Sequence, residues 1–256
     1  MISQIVAGIA LAVFARTAGN SAEAYYNHTI FLTGLTGILA MIPALYFYGR
    51  DKVRRIAGGL IPAQKKVSLS ISEIVLLLLA GAGLAQYGNF LMAILQSFIN
   101  STTYQESMTR ITEGKSLLMM IFWMGIAAPA AEEMIFRWLI YLRLRDWMKL
   151  PVAAVISGLI FGIYHGNMVQ GIYASILGTA FAWILEMSGN IYSSMLLHMG
   201  ANIWSLVITE YALDLFSMKY GVQILILIYL ILLASVVYCL THFEKMYSVR
   251  KKKRMI

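Results

Sequence analysis

Apolar residues fall in long blocks along this chain, at about 2–15, 29–48, 72–99, 117–141, 151–166, 169–187, 190–209 and 221–241. A helix needs ~20 apolar residues to cross a hydrocarbon core, and most of these blocks reach that length. The pattern predicts an all-α, polytopic membrane helix bundle of about eight transmembrane helices. The first and fifth blocks are short, so they extend into flanking residues or lie shielded by protein. No Lys or Arg precedes the first block, which therefore lacks the basic opening of a secretory signal and reads as a retained helix. No repeat and no linker rich in Pro, Ser or Gly interrupts the series. Residues 1–256 read as a single transmembrane domain.

Polar residues break the pattern at four places. They are Glu132-Glu133-Met134-Ile135-Phe136-Arg137, with Pro129 just before it, Phe161-Gly162-Ile163-Tyr164-His165, and His198-Met199-Gly200-Ala201-Asn202. Ionisable groups at membrane depth are costly, and each is a functional hypothesis by default.

Composition agrees with the membrane reading. The chain is 60% hydrophobic and 12% charged, against roughly 25% charged in soluble domains. The net charge of +8 is clustered, with blocks at Arg50–Lys66 and Arg250–Arg254. Both adjoin apolar spans, where basic clusters face lipid headgroups, so the charge points to a bilayer and not to nucleic acid. With the N-terminus in the cytoplasm, the inside loops hold six, three and six Lys or Arg, and the outside loops hold Arg16, Arg110, Lys115 and Lys219. That bias and an even helix number place both termini in the cytoplasm. The lone Cys239 excludes an internal disulfide or a Cys-rich metal site and reads as a small apolar residue.

The fourth block carries the most chemistry. Glu133 and Arg137 are four apart with the acid N-terminal, the better order for an ion pair on one helix face. Glu132 is rotated by about one hundred degrees from Glu133 and is freer to face a cavity and act on water. Pro129 frees the carbonyl one turn earlier, expected to be that of Gly125, and should kink the helix before the acids. In the fifth block Gly158, Gly162 and Gly166 form a small-residue stripe for close helix approach, and His165 lies beside it. In the seventh, His198 and Asn202 share a face. They could grip one oxygen atom or bond to another helix. A structural salt bridge would account for Glu133 and Arg137, but it leaves Glu132 unexplained. Together the set suits acyl-bond hydrolysis, in which water is activated and an oxyanion is stabilised. HExxH, GxSxG and a catalytic cysteine are absent from it.

EExxxR, FxxxH and HxxxN on successive helices resemble the CAAX protease and bacteriocin-processing (CPBP) family, which includes the Ras-converting endopeptidase and bacterial Abi-type proteins. The resemblance covers about residues 117–205. It implies an intramembrane endopeptidase with a cavity open to the cytosolic side. In it Glu132 and His165 would activate water, His198 and Asn202 would form the oxyanion hole, and Glu133 and Arg137 would orient the site. The family has been described both as metalloproteases and as metal-free glutamate-dependent proteases. Glu132, His165 and His198 could supply three ligands to zinc, the alternative that the resemblance leaves open, but no cofactor is expected here, because binding zinc would compete with Glu132 acting as base. Brief loops and the lack of a soluble domain resemble the bacterial branch. That implies a bacterial cytoplasmic membrane and, as substrate, a membrane-associated protein or peptide precursor. Two other readings use the same residues: a non-catalytic adaptor that binds a peptide, and a small transporter. Transporters commonly show internal repeats with interrupted helices, which this chain lacks.

Overall fold

The computed structural model describes Val13 and residues 21–59, 67–99 and 103–254. Apart from Val13, the expected first helix lies outside the described residues, as do Lys65 and Lys66. The described chain is all-helical. Its helices are α1 (Ser21–Ala57), α2 (Ile71–Ile99), the short polar α3 (Thr103–Thr112), α4 (Leu117–Trp147), α5 (Leu150–Tyr164), α6 (Met168–Ser188), α7 (Ser193–Ser217) and α8 (Gly221–Arg254).

Each of the seven later apolar blocks lies largely within one of these helices. Five helices, α1, α2, α4, α6 and α8, are long and apolar enough to cross a membrane. The expectation of eight spans is therefore met only in part. At 15 residues α5 is too short, and α7 carries His198, Asn202, Glu210 and Asp214 within its length. Two further boundaries differ from the sequence reading. The α1 helix continues through Arg50, Lys52, Arg54 and Arg55, and α8 continues through its basic tail. Lys and Arg are good helix formers, so a helix need not stop where its apolar stretch ends.

Helices in lipid gain little from burying apolar surface against one another, so close van der Waals packing through small residues has to hold them. On α5, Gly158 lies against Ser175 and Thr179 of α6, and Gly162 against Gly171 and Ser175. Gly166 is not part of that stripe. It sits past the end of α5 at φ 71° with nothing within 4 Å of where a Cβ would be, so it serves the turn. A second seam joins α2 and α7, where Gly81 meets the Leu197 backbone and Gly200 meets that of Leu78. Around these seams Leu77, Phe161, Phe181, Ile184, Leu197 and Phe243 form a buried core shared by α2, α5, α6, α7 and α8. Trp138, Tyr141, Leu185 and Met195 form a second core beside it.

One end of the bundle gathers the basic blocks. Arg55 at the end of α1 donates to Asp146 of α4 (2.9 and 2.5 Å), and Arg143 pairs with Asp51. Arg145 grips Glu186 of α6 through two nitrogens (3.1 and 2.9 Å). From α8, Arg250 donates to the Ser188 carbonyl (2.8 Å) and caps the C-terminus of α6. Three basic segments distant in sequence thus share one face, as the charge bias requires of loops on one side of a membrane.

The α2–α7 seam sets the position of His198, which lies between Leu197 and Gly200. Gly81→Val would drive a side chain into the Leu197 carbonyl. It should cost about 1–3 kcal/mol by overpacking, read as a lower unfolding midpoint in detergent. Gly49→Ala, where an added Cβ meets nothing within 4 Å, should cause no loss.

Candidate active site

The acids sit on a helix that is not regular. Within α4, Ile121–Ala127 and Met134–Tyr141 are π-helical, and the α-helical turn Ala128–Glu133 between them carries Pro129 and both glutamates. Such π turns are rare and concentrate at functional sites. They also change which carbonyl the proline frees. The Ala128 N–H bonds to the Trp123 carbonyl, five residues back. In that register the group left without a donor by Pro129 belongs to Met124, not to Gly125 as an α-helical count expects. Asn202 satisfies it from α7, its Nδ2 donating to the Met124 carbonyl at 2.9 Å. The proline and the asparagine, far apart in sequence, are two halves of one interaction.

Behind the acids lies a dry ionic core. Glu133 and Arg137 are both 0% exposed, and Arg137 Nε is 3.2 Å from Glu133 Oε2. This is the ion pair that the spacing predicts, although its geometry falls short of a hydrogen bond. Arg137 Nη2 donates to the Gly178 carbonyl of α6 at 2.9 Å. The guanidinium also lies over the rings of Phe161 and Phe181, 4.6 and 5.3 Å from their centroids. Aromatic faces attract a cation, most strongly where water is absent. Gly178 has to be glycine, because a Cβ there would meet Arg137 and Phe161 at 2.9 Å.

His198 joins both carboxylates. Its Nδ1 is 3.1 Å from Glu133 Oε1, and its Nε2 is 3.7 Å from Glu132 Oε2. A carboxylate accepts, so Nδ1 carries the proton. Phe181 stacks on the imidazole at 4.6 Å. The Glu132 side chain is 20% exposed, unlike Glu133, so the two acids differ in solvent access as their rotation on the helix predicts.

His165 ends α5, half-buried, with Nδ1 2.8 Å from the Phe161 carbonyl. A carbonyl can only accept, which fixes the proton on Nδ1 and leaves the lone pair on Nε2. Phe161 also contacts His165 and His198 edge-on, at centroid distances of 4.7 and 5.6 Å. The structure thus brings Glu132, Glu133, Arg137 and His198 into direct contact. His165 is linked to them through Phe161, and Asn202 is engaged one turn of α7 beyond His198.

Among the described residues, no three His, Cys, Asp or Glu side chains converge closely enough to hold a metal ion. Of the zinc set Glu132, His165 and His198, both histidines have Nδ1 engaged, by Glu133 and by the Phe161 carbonyl, and keep Nε2 as the ligating atom. A cavity of about 460 Å³ lies where the start of α2 meets the α6–α7 turn, between Leu69, Ile74, Asn190 and Leu196, and none of the site side chains line it.

Phe181 and Gly178 were not legible in the sequence, because only packing shows that they touch Arg137. Ser194, a fully buried residue whose side chain lies beside the Glu133 carboxylate, was also missed, although it had a signal. It lies four residues before His198, as Asn202 lies four after, so all three share one face of α7.

Residues 114–204 match the family model Rce1-like, type II CAAX prenyl endopeptidase. No curated protein and no solved structure matches the chain. The matched stretch runs from the start of α4 into the middle of α7 and contains every site residue described above. It agrees with the CPBP resemblance. The stretch is thus similar to a family of membrane-bound proteases, and five helices of the described chain are long and apolar enough to cross a membrane.

Removing one member of the buried pair leaves a charge without compensation. Arg137→Met should destabilise by about 3–5 kcal/mol, measured by unfolding in detergent. The double change Glu133→Gln with Arg137→Met should recover a large part of that loss.

Proposed function

We propose that this protein is an intramembrane endopeptidase that hydrolyses a peptide bond in a membrane-associated protein or peptide precursor. The observation that carries the reading is His198 set between a buried carboxylate, Glu133, and a partly exposed one, Glu132. A structural salt bridge needs only Glu133 and Arg137. It gives no reason for a second acid and an imidazole at the same point.

In this reading the free Nε2 of His165 accepts a hydrogen bond from a water molecule and orients it, and Glu132 takes the proton of its other O–H. The hydroxide adds to the carbonyl carbon of the substrate. Charge develops on the carbonyl oxygen and is held by His198 and Asn202. With Nδ1–H directed at Glu133, His198 donates to the oxyanion from Nε2 as the imidazolium. Asn202 uses one amide hydrogen on Met124 and keeps the other for the oxyanion. Preorganised donors of this kind do not reorganise during reaction and act strongly where water is excluded. The tetrahedral intermediate then collapses, the C–N bond breaks, and Glu132 returns the proton to the leaving amine. Each residue does its work without a metal.

Supporting the reading are the match over residues 114–204, the burial of the ionic core, and imidazole orientations set by fixed partners at Nδ1. Bacterial-branch peptide substrates extend it by resemblance, and cytoplasmic termini extend it by the Lys and Arg bias of the loops.

The test is cleavage of a membrane-embedded peptide library by the purified protein in detergent, beside Glu132→Gln, each with and without chelator. Wild type should cleave under both conditions. Glu132→Gln should bind peptide but turn over at least ~10²-fold more slowly, the scale of general-base catalysis. Peptide binding without cleavage by either protein would replace this reading with the adaptor. Cleavage abolished by chelator would overturn the metal-free mechanism.

A further inference from the structure

The cavity of about 460 Å³ at the start of α2 lies apart from the catalytic candidates. Leu196, which lines it from α7, is two residues before His198 and so on nearly the opposite side of that helix. Val67, Leu69 and Ile74 complete an apolar wall, and no charged side chain lines it. Its volume falls in the range of ~300–1,000 Å³ usual for ligand sites. Asn190 adds an amide to the lining, but that amide is already engaged. Its Nδ2 donates to the Val67 carbonyl at 2.6 Å, and its Oδ1 accepts from the Tyr192 N–H at 2.8 Å. A peptide entering here would bury N–H and C=O groups with few partners, which is costly. A hydrocarbon chain needs none.

One helix passes both walls of this cavity. On α8, His242 Nε2 is 3.1 Å from Glu73 Oε1 in the first turn of α2. Met246 and Tyr247 pack on the same core as Leu69 and Leu196. Arg250 then donates to the Ser188 carbonyl, two residues before Asn190. The same stretch of α8 carries Lys245, Lys251 and Lys252 on its exposed surface, with Glu244 as the one exposed acid among them. Among the described residues, none of these three lysine side chains makes an ion pair or hydrogen bond. Asp51, Asp146 and Glu186, the acids that neutralise the arginines at this end of the bundle, are all taken by Arg55, Arg143 and Arg145. Tyr192, 45% exposed, lines the cavity as well. Such a ring, apolar with a polar tip, suits the headgroup level of a bilayer.

We propose that this cavity binds one anionic phospholipid, with an acyl chain between the start of α2 and the first turns of α7 and its phosphate at the Lys251–Lys252 end of α8. Basic side chains at a membrane surface attract anionic lipid, and the apolar recess beside them selects a molecule that carries both a negative head and a hydrocarbon tail. The lipid fills the space next to the α2–α7 seam, so its retention should steady that seam. The inference does not rest on the endopeptidase reading, since no side chain assigned to catalysis lines the cavity.

The test uses the purified full-length protein, stripped of lipid in a nonionic detergent. It is titrated with phosphatidylglycerol or with phosphatidylcholine of the same acyl chains, and read by native mass spectrometry and by the unfolding midpoint. One phosphatidylglycerol should stay bound at concentrations where phosphatidylcholine does not, and it alone should raise the midpoint. Ser68→Trp, which fills the cavity from an exposed position, should abolish the retained lipid. Lys251→Gln with Lys252→Gln should weaken phosphatidylglycerol binding about ten- to thirtyfold, the scale of two basic residues at an anionic surface. Glycerol 3-phosphate, the head without the chains, should leave the midpoint unchanged. Equal retention of the two lipids would overturn the proposal. So would unaltered phosphatidylglycerol binding in Ser68→Trp, which would place the lipid outside the cavity, or a midpoint raised as far by glycerol 3-phosphate, which would make this a site for free phosphate.

Discussion

A carboxylate taken fully out of water organises this protein. Glu133 is 0% exposed inside a helix bundle, and its charge has to be answered from within the molecule. Arg137 answers it along α4, and His198 answers it from α7. Arg137 is itself buried, so it requires the Gly178 carbonyl from α6 and the ring faces of Phe161 and Phe181. One acid thereby ties together α4, α5, α6 and α7. Buried ion pairs are weak evidence for stability, since desolvation offsets much of the attraction. What this one supplies is direction, because each partner has a single workable position.

The same constraint extends to the backbone. Proline in a membrane helix leaves a carbonyl that lipid cannot satisfy, so protein or water must do so. In α4 the π-helical register moves that carbonyl to Met124, within reach of Asn202. The irregularity of α4 and the polar face of α7 therefore belong together. The glycines of the two seams make the contact close enough to work. Gly81 and Gly200 bring α2 onto α7, and Gly158, Gly162 and Gly178 bring α5 and α6 together beside Arg137. In this chain small residues govern how near the catalytic candidates approach, through packing alone.

The division of labour between the two acids follows from the same geometry. Adjacent residues on a helix point about one hundred degrees apart, so neighbouring glutamates need not share an environment. Glu133 points into the ionic core and Glu132 towards solvent-accessible space. His198 is placed where it can sense both. A buried carboxylate that engages one imidazole nitrogen, as Glu133 engages Nδ1 here, fixes the ring's orientation and leaves the second nitrogen to face Glu132. Here the sequence writes it as two consecutive glutamates on one helix and a histidine on another.

The sequence by itself determined the membrane class, the blocks that become helices, the clustering of basic charge, and the residue types of the site. Each of these is a local property of composition or periodicity, as with Glu133 and Arg137 at four-residue spacing. It misplaced the ends of α1 and α8, because a basic stretch that ends an apolar block need not end a helix. It also counted Gly166 in a seam that uses only Gly158 and Gly162. It put the freed carbonyl at Gly125, because an α-helical count cannot foresee a π turn. Only the tertiary structure decided that His198 bonds to Glu133, that Asn202 serves Met124, and that Phe161, Gly178, Phe181 and Ser194 belong to the site. Those contacts join helices tens of residues apart. No periodicity along the chain records which faces of two helices will meet, because that is set by the mutual fit of every helix in the bundle.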